Sequence, residues 1–250
     1  MTEPASGIDL TPFEISIYND ISKLADTIWS RSEEISGLTT DPKMFSIMLF
    51  KRLRSNHRGF TLLWNNNLLL EADIVLRSGI ESAICIAANF KLKSDFVTAM
   101  REDAAHTLQG QIKIHRSNGD TSMVRDGEAL LRELQSKLPA GSKAKKLEWK
   151  KLAKCGDVSQ LYDWHKMLSG LSSHVTGFSI LRGITNDAIS EGQSELRKLT
   201  KKMHLMMMAG ATLQGTMLHA GMIENDEGVD AAHSLISRMN EISTDWPGVK

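Results

Sequence analysis

Ala72-Asp73-Ile74-Val75-Leu76-Arg77-Ser78-Gly79-Ile80-Glu81-Ser82-Ala83-Ile84-Cys85-Ile86-Ala87-Ala88-Asn89-Phe90 is the stretch on which the fold turns. Wound at 100° per residue, its apolar residues point in every direction, and a helix apolar all round is one buried all round. The stretch shows no alternation of period two, so it is no half-exposed strand. Asp73, Arg77 and Glu81 interrupt it, and no membrane span is expected there. Arg77 and Glu81 lie four residues apart, close enough on a helix to meet. Burying such a pair is expensive for each ion unless attraction and further hydrogen bonds offset it. Two readings follow: a structural ion pair that fixes helix register, or a polar site within a helical core.

The flanking sequence extends the helical pattern. Thr11-Pro12-Phe13-Glu14 is a capping box with proline at the first helical position, and Ile17, Ile21, Leu24 and Ile28 follow at helical spacing towards Gly37. Asp41-Pro42 opens a second helix that continues or restarts at Gly59 and ends near Asn65-Asn66-Asn67. The apolar stretch predicts a third over Glu71 to Lys91. A fourth runs from Ser94-Asp95 to about His115, before an Asn118-Gly119-Asp120 turn. Shorter helices are expected over about Asp126 to Leu138, Lys143 to Lys154 and Ser159 to Leu168. A long methionine-rich helix covers Ser190 to about Ile223, and an amphipathic one Asp230 to Ile242. Strand signals and internal repeats are absent. The expected fold is all-α: a multi-helix bundle with a buried central helix and a long C-terminal helix. It forms one domain over residues 1–250, with a linker at 139–142 and ends that fray over 1–10 and 245–250.

Composition narrows the function classes. The chain has 250 residues, with 30 basic and 30 acidic side chains, so it is no general polyanion binder. Two isolated cysteines, Cys85 and Cys155, fit a reducing compartment. The N-terminus lacks the pattern of a signal peptide, and a soluble cytoplasmic protein is expected. No cofactor is expected either: there is no phosphate-binding loop, dinucleotide fingerprint, nucleophile elbow or kinase signature. The eight histidines do not form a metal set. His106 and His115 point in opposite directions on one helix, and His204 and His219 sit roughly 22 Å apart along another.

A second chemical stretch is Tyr162-Asp163-Trp164-His165-Lys166-Met167-Leu168-Ser169-Gly170-Leu171-Ser172-Ser173-His174-Val175-Thr176-Gly177. A short helix runs into a loop of serines and glycines that carries His174. A neutral imidazole there suits acid/base chemistry near pH 7, and a hydrogen-bonded structural role is the simpler alternative.

Together the two stretches, a helical arginine, three residues, glutamate, then tyrosine/lysine…leucine-serine…histidine, resemble a family of bacterial all-helical domains of unknown function. The resemblance covers roughly Leu68 to Gly183. The second motif in turn is similar to the arginine…histidine signature of the HEPN superfamily: small helical bundles, many of them metal-independent RNases of toxin and phage-defence systems that commonly dimerise. The resemblance implies His174 as the proton-handling group and Lys166, which stands where that signature has arginine, as stabiliser of phosphate charge. Arg77, Glu81 and Ser169 would shape and support such a site.

Two surfaces remain. Lys143, Lys146, Lys150 and Lys154 share one side of the expected basic helix and suit nucleic-acid phosphates, or simply form a solvated face. Met203, Met206, Met207, Met208, Met217 and Met222, interleaved with Gly210, Gly215 and Gly221, suit either a core or a close-packed homodimer interface. The sequence thus leaves two functions in play: an RNA-cleaving effector, or a non-catalytic helical module that regulates or binds a protein partner.

Overall fold

The computed structural model describes residues 10–36, 42–171 and 191–243. Every element in them is a helix: α1 (Pro12–Glu33), α2 (Pro42–Asn65), α3 (Leu69–Leu92), α4 (Ser94–Ser117), α5 (Thr121–Ser136), α6 (Trp149–Cys155), α7 (Ser159–Leu171), α8 (Glu191–Met222) and α9 (Asp226–Ser243). The chain is an all-α multi-helix bundle, and no helix among the described residues is long and apolar enough to cross a membrane. The expected frayed ends and the loop with His174 fall outside the described residues, apart from Leu10.

The capping box opens α1 as its sequence requires. Thr11 N donates to Glu14 Oε2 at 2.8 Å, and Glu14 N donates back to Thr11 Oγ1 at 3.2 Å. α2 passes through Gly59 without a break and stops at the asparagines, where Asn67 adopts a left-handed φ of 61° that asparagine tolerates better than most residues. A single residue, Lys93, separates α3 from α4.

α3 is the hub, packing against α2, α4, α6, α7 and α8. α2 runs antiparallel to it: Asn56 donates to Ser78 near its middle, and Asn89 near its end donates to the Pro42 carbonyl. α8 runs parallel to it, with His204 beside Asp73, Met208 beside Gly79 and Gly221 beside Phe90. Leu76, Ile80, Ile84 and Ile86 are fully buried among Ile17, Phe50, Leu53 and Phe60. α1 closes the far side of the core on α8 and α9.

Two expectations are corrected. α3 is enclosed on every side only from Gly79 to Asn89, with Glu81 half-buried; Ile74 is 48% exposed. The reason is length. α7 meets α3 at Arg77 and Glu81 and the end of α6 meets it at Ala87 and Ala88, all beyond Ile74. The lysine-rich helix is also shorter than its composition suggests. It begins only at Trp149, and the residues from Ser142 to Glu148 form no helix. Lys145 N donates to the Glu102 carbonyl and Leu147 N to Asp103 Oδ1, both on α4. These bonds to a neighbouring helix replace the intrahelical ladder, so Lys143 and Lys146 do not share a helical face with Lys150 and Lys154.

The methionines of α8 settle into the chain's own core. Met206, Met207, Met208 and Met222 are buried, and the interleaved glycines admit Leu53, Trp164 and Phe90 to the α8 backbone. A closer approach occurs at Gly156. A Cβ there would sit 2.9 Å from the backbone of Ala87 and Ala88, and backbone in mid-helix cannot step aside. Gly156→Ala is therefore expected to lower stability by about 1–3 kcal/mol in urea unfolding. Gly110→Ala, at a mid-helix position with open space around it, should be neutral or stabilising by up to about 1 kcal/mol. Equal effects at the two sites would refute this account of how α6 docks.

Candidate functional site: a charged junction of α3 and α7

On α3, residues 73, 77 and 81 fall at successive intervals of four and so form one stripe. Each finds a polar partner from another helix. Arg77 Nε donates to Ser169 Oγ at 2.9 Å, and an Arg77 terminal nitrogen lies 3.1 Å from Glu81 Oε1. The same Glu81 oxygen lies 3.0 Å from His165 Nε2. Asp73 Oδ1 lies 2.5 Å from His204 Nδ1 on α8, a pair almost wholly buried.

Hydrogen-bond accounting assigns the protons. Ser169 gives its hydroxyl hydrogen to the His165 carbonyl at 2.7 Å, so its oxygen is the acceptor for Arg77. A carboxylate only accepts, so His165 donates from Nε2, and a neutral ring then carries its bare lone pair on Nδ1. That nitrogen is buried with no partner among the described residues. Trp149 flanks the ring with centroids 5.5 Å apart, and Tyr162 at 6.1 Å. The Arg77 and Glu81 side chains remain 24% and 19% exposed, so the junction opens to solvent on the side of the ion pair.

Among the residues expected at the site, Arg77, Glu81 and Ser169 converge across more than 80 residues of sequence. His174 lies outside the described residues, three positions beyond the end of α7. Lys166 is exposed, one position past His165 and so about 100° around α7 from it, and joins no bond of the network. Lys143, Lys146, Lys150 and Lys154 are all exposed. His165 is the member of this network that sequence reasoning passed over. Its signal was present: Tyr162, His165 and Ser169 follow one another at intervals of three and four, which sets them on one face of a helix.

The remaining buried histidines belong to the core. His219 lies between two hydroxyls, 2.7 Å from Ser46 Oγ and 2.9 Å from Ser32 Oγ, and stacks on Phe50. Ser32 commits its hydrogen to the Ile28 carbonyl, so His219 donates through Nε2 and accepts from Ser46. His57 stacks on Tyr18 and lies 2.9 Å from Thr212 Oγ1. Burial holds the His57 ring down to about 4 and the His219 ring down to about 3, because neither can be hydrated when charged. Among the described residues no group of three or more histidine, cysteine or acidic side chains is set to hold a metal. No protein-family model, no curated protein and no solved structure matches this chain.

Two measurements test these assignments. Glu81→Ala removes the acceptor of both Arg77 and His165 and should cost about 1–3 kcal/mol of stability. The double variant Glu81→Ala/Ser169→Ala should depart from the sum of the single effects by about 0.5–3 kcal/mol, because both oxygens hold one guanidinium. Strict additivity in urea unfolding would mean that the network is not a unit. Separately, an unfolded chain takes up protons on His57 and His219 below about pH 6.5 while the folded core does not. Stability should therefore fall as pH drops from 7 towards 4, and a flat urea midpoint over that range would rule out two neutral core histidines.

Proposed function

We propose that this chain is a cytoplasmic, metal-independent RNA-cleaving effector resembling HEPN proteins, with its working site at the α3–α7 junction. One observation carries the reading: the guanidinium of Arg77 lies against Ser169, so the two motifs that prompted the resemblance meet in space although 92 residues separate them. In this reading Arg77 and Glu81 hold the end of α7 rigid, and Lys166 and His174 flank Ser169 in the sequence.

The chemistry needs no cofactor. The 2′-hydroxyl of a ribose attacks the adjacent phosphorus and loses its proton to a general base. The 5′-oxygen departs and takes a proton from a general acid, which leaves a 2′,3′-cyclic phosphate and a 5′-hydroxyl. An imidazole near neutrality serves both proton transfers, and a nearby ammonium stabilises the charge that builds on the phosphoryl oxygens.

A second reading, a non-catalytic helical module that binds a protein partner or a second copy, is favoured by one specific observation. Arg77, Glu81, Ser169 and His165 bond chiefly to one another, and Nδ1 of His165 is buried without a partner among the described residues, as in a structural latch. Incubation of purified protein with single-stranded and structured RNAs in excess EDTA separates the two. The effector reading expects cleavage that leaves cyclic phosphate ends, reduced about 100-fold or more in folded His174→Ala and Lys166→Ala variants. Intact RNAs after incubation with folded protein would sink it and leave the latch. In that case Arg77→Ala should loosen the fold or break a dimer.

A further inference from the structure

The lysines of the 143–154 segment do not form a helical face, but they do form a path. Lys143, Lys145 and Lys146 are strung along the non-helical run that hydrogen-bonds to α4, and Lys150, Lys151 and Lys154 continue it along α6. All six are exposed, against one acidic residue in the segment, Glu148, which pairs with Lys145 at 2.8 Å. Among the described residues no carboxylate lies within ion-pair distance of the other five. A chain of zero net charge thus concentrates on one short piece of surface five cations with no ion-pair partner among the described residues.

Aromatic rings stand beside that path. Trp149 opens α6 between Glu148 and Lys150, and Tyr162 lies on α7, the helix packed against it. Both are half-buried, seated on the core rather than sunk in it. Both flank the ring of His165, whose Nε2 bonds Glu81. The lysine path therefore runs into the aromatic pair, and the aromatic pair adjoins the charged junction of α3 and α7.

We infer that the 143–154 segment and the Trp149–Tyr162 pair form a binding platform for an unpaired polynucleotide strand, which delivers that strand to the α3–α7 junction. Alternating ammonium groups follow a phosphate backbone, and an aromatic face accepts any unpaired base. A duplex keeps its bases stacked internally and cannot use the rings. An acidic protein surface would use the lysines but would bring no unpaired base to stack on the rings. The inference rests on the RNA-directed reading for its purpose, but the binding it describes is measurable without any cleavage.

The test is fluorescence anisotropy on the full chain with a 12-nucleotide 2′-O-methyl oligouridine, which has no 2′-hydroxyl to react. Oligothymidine, the corresponding duplex and polyphosphate serve as comparison ligands. Single strands should bind, and their affinity should fall steeply with salt. Lys150→Gln/Lys154→Gln, a surface change that leaves the core untouched, should make the log–log salt slope shallower by about one to two units. Trp149→Ala should weaken the single strands roughly tenfold while leaving polyphosphate binding nearly unchanged. If that variant unfolds, Tyr162→Ala provides the same comparison. The ratio between oligouridine and oligothymidine identifies the sugar preferred. Absent binding, equal binding of duplex and single strand, or an equal loss for polyphosphate and oligonucleotide on removing the ring would each overturn the platform. Binding without cleavage of natural RNA would retain it and reject only the nuclease.

Discussion

The carboxylate of Glu81 is the point on which the interior of this protein depends. It sits half-buried on α3, the helix that packs against most of the others, where an unpaired charge would be costly. It is tolerated because Arg77 from its own helix and His165 from α7 both reach the same oxygen. That arrangement constrains the rest. α7 must run antiparallel to α3 with a register that brings His165 to Glu81 and Ser169 to Arg77 together, and α6 must then turn at Gly156 against the α3 backbone. A shift of α7 by one residue would swing both side chains about 100° away.

The same principle operates at each level of the core. Several enclosed polar groups take a partner from a second helix: Asp73 with His204, Ser46 and Ser32 with His219, Thr61 with Tyr18, Asn89 with the Pro42 carbonyl. Apolar contact alone would let neighbouring helices slide. These pairs hold one register each, and together they specify the arrangement of α1, α2, α3 and α8 more narrowly than volume filling does. The neutral imidazole of His219 is part of that economy, since a ring with one donor and one acceptor bridges two hydroxyls without bringing a charge into the core.

How much of this could be read beforehand differs from element to element. The capping box at Thr11, the periodic isoleucines of α1 and the apolar stretch from Ala72 to Phe90 are local signals, and they gave correct helices with bounds good to a turn or so. The lysine segment misled because its residues are good helix formers, yet a neighbouring helix offered Glu102 and Asp103 to its backbone. At the site, Arg77 and Glu81 stood out as charges in apolar surroundings. His165 did not, because its meaning lies in which face of α7 turns towards α3.

The sequence by itself determined the secondary structure and the class of fold, because helix caps, turn residues and the 3.6-residue period act over a few neighbours along the chain. It also determined that a charge pair would have to be accommodated inside. Only the tertiary structure decided which groups accommodate it, that His165 of α7 reaches the carboxylate, and that the methionines and glycines of α8 serve the chain's own core. Those outcomes depend on helix register and on contacts between residues far apart in sequence, which no local pattern encodes.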